Sequence, residues 1–74
     1  MQDVSYVNFL KVCLENSRSI MQRKKIYKKD FDFIMISLKL SSNLYEHNKE
    51  DLEIKELYKK FLLILDLAYD KFHG

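Results

Sequence analysis

Cys13, His47 and His73 are the only thiol and imidazole side chains in the chain, and their separations match no metal-ligating pattern, in which ligands recur within a short loop or one helical turn. Cys13 could act as a nucleophile only with a base beside it; on the apolar arc of its helix it reads as a small core residue. Carboxylates gather at Asp30/Asp32, Glu50/Asp51/Glu53 and Asp66/Asp70, and such pairs serve general acid–base chemistry where an apolar cleft drives their pKa values apart. None of them lies in an apolar run, so helix capping and solubility account for them more cheaply. The single glycine is Gly74, so there is no glycine-rich loop to bring backbone amides up to a phosphate. The expectation is a protein with no catalytic residues, no metal and no cofactor.

The strongest charge feature is Arg23-Lys24-Lys25-Ile26-Tyr27-Lys28-Lys29, with five cations in seven residues. Cations so spaced could neutralise successive phosphates while Tyr27 stacks on a base or sugar. They could equally dock an acidic protein, or form a solvated turn that complements the negative end of a helix dipole. A helix-turn-helix needs exposed polar residues at the start of its recognition helix. Here the second helix would begin with Phe31, Phe33, Ile34 and Met35, and the third is acidic at its start, so sequence-specific DNA reading is not expected. A net charge of +2 is too small to declare a nucleic-acid or membrane partner by itself.

These residues must be positioned by helices. With no proline, one glycine, 47% hydrophobic and 32% charged residues, the 74-residue chain suits one helical domain, 1–74, with short polar loops. From about 5 to 22, Tyr6, Val7, Phe9, Leu10, Cys13, Leu14, Ile20 and Met21 share one arc of a helical wheel, with Asp3 or Ser5 as N-cap. A second helix is expected from Asp30 as N-cap to about His47, which then sits as a cation at the helix C-terminus. Its apolar arc (Phe31, Phe33, Ile34, Ile36, Leu38, Leu40, Leu44, Tyr45) spans roughly 220°, so it should be central, with Ser37 and Ser41 letting a neighbour approach. Asp30-Phe31-Asp32-Phe33 and Ser37-Leu38-Lys39-Leu40-Ser41 also alternate like strands, but a lone strand would have nothing to pair with. The third helix runs from about 51 to 72, capped by Asn48 or Asp51, with the seam Ile54, Leu57, Phe61, Ile64, Ala68 beside a second seam, Tyr58, Leu62, Leu65, Tyr69, Phe72. The fold expected is an all-α, antiparallel three-helix bundle. His73 falls in a frayed tail.

Leu52, Leu63 and Leu67 fall on the opposite side of the third helix, among Glu56, Lys59, Lys60, Asp66 and Asp70, and have no place in this core. With the over-wide arc of the second helix, they point to contact with another chain, most simply a two-fold homodimer. The expected function is a non-catalytic protein-binding module of adaptor, regulator or inhibitor type. Leu63, Leu67, Lys59, Lys60 and Asp66 form its contact, and Arg23, Lys24, Lys25, Tyr27, Lys28 and Lys29 form a docking point. A nucleic-acid-associated protein using those same basic residues is the alternative. One cysteine allows no internal disulfide and no secretory signal is evident, so a reducing cytoplasm is expected; no run approaches the ~20 apolar residues of a membrane span.

The segment Glu56-Leu57-Tyr58-Lys59-Lys60-Phe61-Leu62-Leu63-Ile64-Leu65-Asp66 resembles an amphipathic helix of bacteriocin immunity proteins. The resemblance covers one helix. That family builds four-helix bundles that sit near the membrane, one helix more than this chain supplies, and the resemblance implies a protective protein of the kind bacteria and phages encode.

Overall fold

The computed structural model describes residues 4–73, the side chain of His73 excepted; Asp3 and that side chain, both assigned places above, lie outside the described residues. Three helices follow one another: α1 (Val4–Met21), α2 (Lys28–Glu46) and α3 (Leu52–His73). There is no strand among the described residues, and the alternating segments of α2 are helical. Every pair of helices is in contact, and α2 with α3 is the broadest. Phe31 at the start of α2 packs on Phe72 at the end of α3, centroids 5.4 Å apart. Tyr45 near the end of α2 stacks on Tyr58 near the start of α3, also at 5.4 Å.

The core forms where the three apolar stripes meet. Leu10, Cys13 and Leu14 of α1, Ile34 of α2, and Leu57, Phe61, Ile64 and Ala68 of α3 are all buried in it. Small polar residues share this core. Ser17, Ser37 and Ser41 are buried, and each hydroxyl donates to a backbone carbonyl of its own helix, those of Cys13, Phe33 and Leu38, at 2.8–2.9 Å. That bond removes the cost of burying a hydroxyl, and the short side chain lets the helices approach. Ser17 was missed in the sequence because it interrupts an otherwise apolar stripe.

Several local expectations need correction. The first helix includes Val4, so Ser5 lies within its first turn and is not its cap. The second starts at Lys28, with Tyr27 in the N-cap position, which makes Asp30 the third helical residue. Asp30 still caps from there: its Oδ2 accepts the Tyr27 N–H at 3.0 Å, while its own N–H donates to the Tyr27 carbonyl. In α3 the cap is Asp51, whose Oδ1 accepts the N–H groups of Glu53 and Ile54. His47 is the C-cap residue of α2, its Nδ1 2.9 Å from the Asn43 carbonyl.

Two expected core residues are outside. Phe9 is 52% exposed and Ile36 58%. Each sits at the margin of its apolar arc, and a helix with only two neighbours cannot have so wide an arc covered. For the same reason the second seam of α3 is only half-covered: Leu62, Tyr69 and Phe72 remain on the surface, the last two resting against Phe31. The long axis measures 40 Å and the other two 18 and 15 Å, so the body is only two helices thick and every helix keeps an outer side.

Candidate protein-contact surface

The first candidate region is the basic turn. Its backbone is fixed at both ends. Arg23 N–H donates to the Ile20 carbonyl, closing α1, and Ile26, alone among charged neighbours, is buried in the core. Ile26 had no role in the sequence reading; the signal was a lone branched aliphatic residue inside a charged run. With Ile26 anchored, the surrounding cations meet local partners. Arg23 lies 3.2 Å from Asp30, whose side chain is almost fully buried, and Lys28 lies 2.9 Å from Asp32 one helical turn on. Lys25 stands over the Tyr27 ring, 5.6 Å from its centroid. Asp30 therefore joins the end of α1 to the start of α2, a role its neighbours did not suggest, because carboxylates rarely bury without partners. Lys24 and Lys29 are exposed and have no ion pair among the described residues. The turn is first a cap and hinge-pin for the bundle.

The second candidate region is the outer face of α3. The helix turns Ile54, Leu57, Phe61, Ile64 and Ala68 inward, and its 3.6-residue period then forces Lys59, Lys60, Leu63, Asp66 and Leu67 outward. Leu63 is 61% exposed, Leu67 50%, and Leu52 at the start of the helix 72%. Leu63 and Leu67 are one turn apart and adjoin. Leu52 is about 16 Å from Leu63 along the axis and does not extend their patch. Lys59, Lys60, Asp66 and Asp70 are exposed around the leucines, and none is in an ion pair among the described residues.

The cleft between α1 and α3 differs. It encloses about 310 Å³ and is lined by Lys11, Glu15, Arg18, Glu53, Glu56 and Lys60 around Leu14 and Leu57. Its charges largely meet each other, Lys11 with Glu53 at 3.4 Å and Arg18 with Glu15 at 2.9 Å. Lys71, on the same side of α3, donates to the Met21 carbonyl at 2.8 Å and ties the end of α3 to the end of α1. Cys13 is buried in the core, and no three His, Cys, Asp or Glu side chains are grouped to hold a metal ion among the described residues. No helix is long and apolar enough to cross a membrane among the described residues.

Comparison with protein-family models, with curated proteins and with solved structures gives no match.

Proposed function

We propose that this protein is a non-catalytic protein-binding module of adaptor, regulator or inhibitor type. It acts in the cytoplasm as a homodimer of antiparallel three-helix bundles, with the outer face of α3 as its contact. The antiparallel arrangement is supported by the ring pairs that put the start of α2 at the end of α3 and the end of α2 at the start of α3. The observation that carries the functional reading is the adjoining pair Leu63 and Leu67, at least half-exposed on the longest helix. Burying what remains exposed of them yields about 1 to 1.5 kcal/mol each, a weak contact until the surrounding Lys59, Lys60 and Asp66 also find partners.

The test is the double substitution Leu63→Lys with Leu67→Lys. Light scattering across a dilution series should show the wild type associating and the variant monomeric, with equal helicity by circular dichroism. Loss of helicity in the variant would place those leucines in the core and end the proposal.

Phosphate binding by the basic turn takes second place. Arg23 and Lys28 already have carboxylate partners, which leaves Lys24, Lys25 and Lys29 for a polyanion. A protective role of the immunity-protein kind would use the same α3 face, since the segment that carries that resemblance, Glu56 to Asp66, holds both Lys59 and Leu63.

A further inference from the structure

Along the outer side of α3 the charges are sorted by sign. Lys55, Lys59 and Lys60 precede Leu63, and Asp66 and Asp70 follow Leu62 and Leu63. At 100° per residue, Lys55, Lys59, Leu62, Leu63, Asp66 and Asp70 share an arc of roughly 100°, away from the buried seam. None of these four charges is in an ion pair among the described residues, although the other flank of α3 uses Glu53 and Lys71 in contacts with α1.

The spacing has a symmetry. Lys59 and Asp66 lie at equal distances on either side of the Leu62–Leu63 bond, and so do Lys55 and Asp70. If two α3 helices pack side by side in opposite directions about a two-fold axis at that bond, Lys59 of each meets Asp66 of the other and Lys55 meets Asp70. Leu63 then meets its own copy at the centre, as does Leu62, which is 40% exposed. Of the two carboxylates in this basic half, Glu53 is engaged by Lys11 of α1, and Glu56 falls level with Tyr69 instead of a second carboxylate. A parallel pair would set lysine against lysine and aspartate against aspartate. A two-fold contact must be self-complementary, and this face is so in one direction only.

We infer that the occupant of the α3 outer face is a second copy of this chain, bound antiparallel about the Leu62–Leu63 bond with Lys59–Asp66 and Lys55–Asp70 ion pairs flanking a leucine centre. This rests on the protein-contact reading above and adds how the two copies are oriented and which of their charges meet.

Charge reversal tests it. The full chain carries either Lys55→Glu with Lys59→Glu, or Asp66→Lys with Asp70→Lys; Lys59, Asp66 and Asp70 are exposed and Lys55 is half-buried, and the effect of each pair on folding is checked by circular dichroism. Each variant alone faces like charges at both ends and should self-associate at least about tenfold more weakly than wild type in sedimentation equilibrium. Mixed in equal amounts, the all-acidic and all-basic faces complement each other, and association should return to within about threefold of wild type. A wild type that dimerises through Leu63 and Leu67 while the mixture shows no recovery would overturn the antiparallel pairing and leave the protein-contact reading standing. A wild type that stays monomeric at several hundred micromolar would overturn the second copy as occupant.

Discussion

The turn between α1 and α2 and the outer face of α3 are both crowded with charge, yet their charges do different things. In the turn, Arg23 and Lys28 are held by Asp30 and Asp32, Lys25 sits on Tyr27, and Ile26 pins the backbone into the core. On α3, Lys59, Lys60, Asp66 and Asp70 surround exposed leucines and form no ion pair among the described residues. The denser cluster is thus the one more fully explained by the fold. Charge density by itself is a poor guide to a contact; interaction capacity left over after folding is a better one.

The contrast predicts an order of effects on stability. Asp30→Ala should cost most, about 1 to 3 kcal/mol, because it removes a helix cap and a buried carboxylate's bonds together. Chemical denaturation reads that loss directly, and a change below about 0.5 kcal/mol would show that the turn does not hold the bundle together. Cys13 offers a second reading, since its buried thiol should react with a disulfide reagent faster in Asp30→Ala by roughly tenfold for each 1.4 kcal/mol lost. Lys71→Ala comes next, at about 0.5 to 1.5 kcal/mol, for the lost bond to the Met21 carbonyl. It is followed by thermal melts of the single variant against wild type at equal concentration.

Leu63→Lys and Leu67→Lys should change the stability of the isolated bundle least, each within about 0.5 kcal/mol when measured at high dilution. The contrast would collapse if either cost as much as Asp30→Ala. Titration with duplex DNA at a series of salt concentrations addresses the turn from the other side. With three lysines available, any binding at low salt should show a log–log slope no steeper than about −3, and a slope of −4 to −5 would mean that Arg23 and Lys28 leave their carboxylates for phosphates.

Much of this was legible in the sequence. The inward seam of α3, the burial of Cys13, Ser37 and Ser41, and the outward placement of Leu52, Leu63 and Leu67 all follow from a 3.6-residue period, which sorts side chains before any neighbour is known. The cap of α3 was legible to within two candidates, Asn48 and Asp51, because such bonds close within three residues, and the structure decides for Asp51. Position along one helix is local information.

What only the tertiary structure decided is how much of each apolar arc a neighbour covers and which charges meet across the chain. Phe9 and Ile36 lie on apolar arcs yet stay exposed, since coverage depends on where two other helices happen to lie. Asp30 has the composition of an ordinary surface carboxylate and is buried because the turn after α1 delivers Arg23 to it and Ile26 draws that turn inward. The wheel of a single helix carries no information about its neighbours' axes, and the pairing of residues seven apart through a turn depends on the path the backbone takes between them.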